Sequence, residues 1–188
     1  MPQTVFLDTG VLLDYIENRH QEIRDIIAQL ILLHKKGRIV LATSIFNVAE
    51  LLDKEFEIRF SGWGLNERMA FDEIRKLRGN EKLFKDVCEK NKTSIEKGVN
   101  SLVFENELPI LYFPEGSQYE ELYDLIYRYQ LESQDALIVT AALANKVTYF
   151  LSNDAYLVKK IKDMLDTYNL RKEPSRTAFR RNVIEAIA

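Results

Sequence analysis

Apolar positions along the chain change spacing in a regular order, and the order predicts strands and helices in turn. Val5, Phe6 and Leu7 form an unbroken apolar run closed by Asp8-Thr9-Gly10, which reads as a first buried strand. Val11 to Ile16 reads as a helical turn or two. Gln21 to Lys36 is a clearer helix, with Ile23, Ile26, Ile27, Leu30, Ile31 and Leu33 at helical spacing and Gly37 as its stop. Ile39 to Ala42 is a second strand. Thr43 and Ser44 follow as capping residues for a helix with Ile45, Val48, Ala49 and Leu52 on one stripe and Glu50 off it.

From about Phe60 to Leu108 the pattern is helical, with a break at Ser61-Gly62-Trp63-Gly64 and weaker ones near Gly79-Asn80 and Gly98. Pro109 introduces a third strand, Ile110 to Phe113, ended by Pro114-Glu115-Gly116. Tyr119, Leu122, Tyr123, Ile126 and Tyr127 lie on a helical stripe that predicts packing of the tyrosines. Ser133 is a candidate N-cap for an Ala- and Leu-rich helix over 134–144, and Thr148 to Leu151 is a fourth strand, ended by Ser152-Asn153-Asp154. A helix from Ala155 to Tyr168 and a basic helix from Arg176 to Ile187 close the chain. Short strands separated by helices, with no hairpin signal, predict an α/β fold with a parallel sheet of four to five strands between helices.

Composition sharpens this. A chain of 188 residues, 46% hydrophobic and 29% charged, with 7 Gly and 4 Pro, predicts one domain over 1–188, with a helical insertion at about 60–108 and a basic C-terminal tail at about 171–188. The single Cys, Cys88, excludes an internal disulfide and a cysteine zinc cluster and reads as a small buried apolar residue. No signal peptide and no membrane span are expected, and a cytoplasmic location follows. A net charge of −3 gives no overall basic surface for nucleic acid, although Lys and Arg gather locally, for example at Arg171, Lys172, Arg176, Arg180 and Arg181.

The chemistry-bearing pattern is a set of carboxylates. Asp8 follows the first strand, Glu50 lies in the helix after the second, Asp135 sits in the first turn of the helix leading to the fourth strand, and Asp154 follows that strand. In a parallel sheet, right-handed crossovers put all strand exits on one edge, so these groups share a rim. Each alone has an ordinary role as a cap, a turn former or an exposed helix residue. Together, acidic oxygens at one rim select Mg²⁺ or Mn²⁺, with neither His20 nor His34 placed to compete.

Four segments, VFLDTGVLLDY from Val5, TSIFNVAELL from Thr43, SQDALIVTAAL from Ser133 and TYFLSNDAYL from Thr148, resemble the PIN-domain ribonucleases, including VapC-like toxins. The resemblance implies a three-layer fold and a metal-dependent endonuclease acting on single-stranded RNA. It makes Asp8, Glu50, Asp135 and Asp154 the acidic set, with Thr9 and Ser152 as supporting hydroxyl residues. It also implies RNA as partner and, for a toxin, an antitoxin protein; a homodimer is expected. The alternative is a catalytically silent PIN-fold module that binds RNA or protein. Asp8-Thr9-Gly10 also resembles the aspartic-protease triplet, but those enzymes are all-β. A haloacid-dehalogenase-like phosphatase needs a second Asp where this chain has Gly10. The segment between Glu50 and Pro109 is longer than in small toxins of the family. Trp63, within it, is expected to pack rather than to stack on a base.

Overall fold

The computed structural model describes residues 2–112 and 119–187. Five strands, β1 (Gln3–Leu7), β2 (Ile39–Ser44), β3 (Ile110–Leu111), β4 (Tyr149–Ser152) and β5 (Asp166–Asn169), form one sheet in the order β3-β2-β1-β4-β5, with every described neighbour pair parallel. Parallel pairing demands crossovers, and helices supply them. Between the strands lie α1 (Thr9–Ile16), α2 (Gln21–Lys35), α3 (Ile45–Asn66), α4 (Phe71–Leu77), α5 (Glu81–Glu89), α6 (Lys92–Val99), α7 (Tyr119–Tyr127), α8 (Ser133–Ala144) and α9 (Ala155–Ile161), and α10 (Glu173–Phe179) and α11 (Glu185–Ile187) follow β5. The residues expected at 113–116, the end of the third strand and its Pro-Glu-Gly stop, lie outside the described residues.

The two-residue period of the strands sorts the core into two layers. Val5 and Leu7 point to one face, where α1, α2 and the buried residues Phe179, Val183 and Ile184 from the C-terminal helices pack on them. Phe6 points to the other, stacked on Phe150 with ring centroids 5.1 Å apart and covered by α8 and α9 through Ile138, Val139, Leu157 and Ile161. This is the α/β sandwich that the sequence pattern predicts.

Several elements depart from the sequence reading. α3 does not break at Ser61 to Gly64 but runs on to Asn66, and Phe60, Ile74 and Val87 form a small satellite core with Trp63 packed against it. A Cβ on Gly64 would lie 2.5 Å from Ile74 Cγ1, so this glycine serves a close helix crossing rather than a turn. Gly98 does not interrupt α6 either, whereas Asn80 does begin a new helix, its side chain accepting from the Leu83 N–H at 3.1 Å. The helix expected over Ala155 to Tyr168 stops at Ile161, and Asp166–Asn169 becomes β5 on the sheet edge. Tyr119, Tyr123 and Tyr127 are exposed. α7 turns Leu125 inward instead, and Tyr123 stacks on Tyr127 at 5.5 Å. α8 begins at Ser133 itself, behind a Glu132 cap that makes no side-chain bond.

Candidate functional site

The strand order reverses between β1 and β4, and such a switch point opens a crevice at the carboxyl edge of a parallel sheet. Asp8 leaves β1 and Asp154 leaves β4, so they stand on its two sides. Asp8, Thr9, Gly10, Glu50, Asp135, Asn153, Asp154 and Arg171 line a single cleft of about 270 Å³. All four acidic residues singled out in the sequence therefore meet there.

Local bonding fixes each one. Asp8 is the N-cap of α1, taking the Thr9 backbone N–H on Oδ1 at 2.8 Å. The same oxygen accepts from Asn47 Nδ2 at 3.1 Å, while Oδ2 accepts the Ser152 hydroxyl at 2.5 Å. Asn47 holds its place through a capping box with Ser44, the N-cap of α3. The Thr9 hydroxyl takes a hydrogen bond from Asn47 Nδ2 at 3.0 Å and donates to Glu50 Oε2 at 2.6 Å, which ties α3 to α1. Asp154 caps α9, its Oδ1 accepting from the Tyr156 and Leu157 N–H groups at 2.7 and 3.0 Å, and its own N–H donates to Ser152 Oγ. Ser152 thus joins Asp8 to Asp154 through one hydroxyl. Thr9 and Ser152 are the two supporting hydroxyl residues expected from the sequence.

Crowding shows in the acidities. Burial, then the charges of Glu50 and Asp135, push the Asp8 carboxyl up to about 7, even though bonds from Ser152 and Thr9 act the other way. Burial, then Asp154, Glu50 and Glu132, push Asp135 up to about 6. The donor chemistry fits a hard divalent cation: carboxylates that repel one another, and a buried Asn153 Oδ1 with no hydrogen-bond partner on the same wall. Among the described residues, no three His, Cys, Asp or Glu side chains stand in the arrangement of a metal-binding group. Both Asp8 oxygens and one Asp154 oxygen are instead engaged in the bonds above.

Four wall residues or wall supports escaped the sequence reading. Asn47 was signalled by its place three residues after Ser44. Asp14, a carboxylate inside the apolar run of α1, is fully buried and organises Asn153 and Arg171. Asn153 was read only as a turn or capping residue, and Arg171 only as part of a basic C-terminal patch, with nothing in the sequence to place it at the cleft. A second cleft of about 240 Å³ between α3 and α4 is lined by Phe60, Phe71 and Ile74 and by Arg78, which pairs with Glu57 at 2.6 Å; it is apolar and holds no comparable cluster.

A parallel α/β sheet with carboxylates collected at its switch point defines the class as an α/β fold with an acidic cleft. The family model of the PIN domain matches residues 5–162, and the chain belongs to the PIN domain family. PIN domains are generally nucleases, and those nucleases usually use divalent metals. Among curated proteins, none matches this chain in sequence. No described helix is long and apolar enough to cross a membrane.

Proposed function

We propose that this protein is a divalent-metal-dependent endoribonuclease that hydrolyses phosphodiester bonds of single-stranded RNA. The observation that carries the reading is the gathering of Asp8, Glu50, Asp135 and Asp154 on one cleft beside the switch point of a PIN sheet. Asp8, Asp135 and Asp154 would hold Mg²⁺ or Mn²⁺, with Glu50 binding through water or orienting the nucleophile. When bound, such an ion would supply polarisation of the phosphodiester and a lowered pKa for the attacking water. The residues of this chain supply the frame. Ser152 and Asn47 fix the Asp8 carboxylate from both sides, and Thr9 steers Glu50 toward the cleft. No side-chain nucleophile is needed, and hydrolysis leaves 5′-phosphate and 3′-hydroxyl ends.

A toxin role with an antitoxin protein partner, a homodimeric state and a cytoplasmic location belong to the same proposal and extend from the VapC-like motifs. So does the treatment of 1–188 as one domain carrying a helical insertion at about 60–108. The rival reading, a silent module that binds RNA or protein, has one observation in its favour: the carboxylates are tied into internal hydrogen bonds rather than grouped as a ligand shell. Incubation of a 5′-labelled single-stranded RNA with the protein and Mn²⁺ decides between them. Internal cleavage abolished by Asp8→Asn and by chelation is the expected result. Binding without cleavage favours the rival, and cleavage unchanged in Asp8→Asn contradicts the role given to the acidic cleft.

A further inference from the structure

Four of the described residues that line the cleft are acidic. Arg171, just past β5, is the single cation among its described lining residues. It lies beyond the segment 5–162 that the PIN family model matches. Asp14 holds it there: Arg171 Nε donates to Asp14 Oδ2 at 3.1 Å and a terminal nitrogen donates to Asp14 Oδ1 at 2.9 Å, a two-point clamp. The Asp14 side chain is fully buried while the Arg171 side chain remains 46% exposed, so one end of the pair is anchored and the other faces solvent. The second terminal nitrogen of Arg171 makes no hydrogen bond to the described residues. Asp14 Oδ2 also takes the Asn153 amide at 2.7 Å, and that amide donates to the Gly10 carbonyl at 2.9 Å. His20 Nε2 stands 4.0 Å from the same carboxylate.

We propose that Arg171 is the phosphate-binding residue of the cleft, engaging an RNA backbone phosphate next to the scissile bond, and that Asp14 is its positioning residue. The inference rests on the nuclease reading above. A substrate polyanion approaching four carboxylates needs a fixed positive group, and a guanidinium suits phosphate because its planar donors match paired oxygens. The Asp14 clamp removes most of the rotational freedom such a long side chain loses on binding. A buried carboxylate with no other strong cation is neutralised by the same contact, so a purely structural role for Arg171 is the alternative to exclude.

The experiment measures binding of a fluorescein-labelled single-stranded RNA to Asp8→Asn protein across a salt series, with and without Arg171→Gln. Expected is an affinity loss of about 10-fold and a slope of log Kd against log salt smaller by about 0.7, the release of roughly one counterion from a single strand. Arg171→Lys should keep the slope. Asp14→Asn, in protein with Asp8 intact, should keep the slope but lower kcat/KM for RNA cleavage by about 10-fold, since the charge remains and its orientation does not. Should Arg171→Gln not fold, Asp14→Asn/Arg171→Gln replaces it, leaving a neutral hydrogen-bonded pair. Reduced stability with unchanged slope and affinity overturns the proposal and makes Arg171 a structural counter-charge. No RNA binding by the Asp8→Asn parent instead overturns the nuclease reading, and the inference with it.

Discussion

At the scale of single residues, the cleft concentrates repulsion that folding alone would not tolerate cheaply. Asp8 is buried, and Glu50 and Asp135 press on it. Asp8→Asn removes one of those charges while an amide oxygen can still accept from Thr9 and Asn47, so the metal-free variant should be more stable than wild type at pH 8. The gain is ~1 kcal/mol, read as a Tm rise of roughly 2–4 °C in a chain of this size. A lower Tm would mean that the Ser152 bond outweighs the relieved repulsion. A second buried acid lies away from the cleft. Glu55 is fully buried in α3, bonded to Arg59 at 3.0 Å, and burial, then the charge of Glu17, push it up from its ordinary 4.5 to about 7. Its folded value exceeds its unfolded one, so the folded state binds more protons between these limits, and the contribution of Glu55 to stability declines as pH rises through that window. The Tm of Glu55→Gln relative to wild type should accordingly improve from pH 5 to pH 8; a constant difference refutes the assignment. Asp8, Asp135 and Asp154 were legible in the sequence because each sits at a strand exit or in the first turn of a helix, and Glu50 because it lies in the helix that follows the second strand. Asp14 and Arg171 were not, because their pairing joins positions 157 residues apart.

At the scale of elements, glycine meaning depends on what stands opposite. Gly62 and Gly64 both suggested a turn, yet α3 passes through them. Gly64 allows α4 to press Ile74 against the helix backbone, whereas nothing lies within 4 Å of a Cβ at Gly62. Gly64→Ala should therefore destabilise by about 1–3 kcal/mol through overpacking, and Gly62→Ala should stabilise by about 0.5–1 kcal/mol through helix propensity. Denaturant melts of the two variants check both signs, and equal effects would contradict the crossing. The same dependence on tertiary neighbours hid β5. Leu157, Ile161, Leu165 and Tyr168 fall at helical spacing, but Asp166–Asn169 pairs with β4 across four register partners and so becomes the edge strand. Strands β1, β2 and β4 were legible because their runs are buried on both faces, and an edge strand with polar residues has no such signature.

At the scale of the whole molecule, topology does the assembling. The order β3-β2-β1-β4-β5 places β1 beside β4 although 141 residues separate their ends, Leu7 and Tyr149, from Gln3–Leu7 to Tyr149–Ser152. That adjacency brings Asp8 to Asp154, and the crossovers through α3 and α8 add Glu50 and Asp135. The PIN family assignment explains the segment 5–162, and the C-terminal helices close the sheet face with Phe179 and Val183 while the turn before them carries Arg171 to the cleft. If the four carboxylates form one metal site, binding stabilises the folded state in proportion to affinity. The most direct test is calorimetric titration of Mn²⁺ into the wild-type protein and into Asp8→Asn, Asp135→Asn and Asp154→Asn. Saturable binding by wild type, weakened at least tenfold in each variant, is the predicted result. No binding at millimolar Mn²⁺, or binding indifferent to all three substitutions, would contradict it.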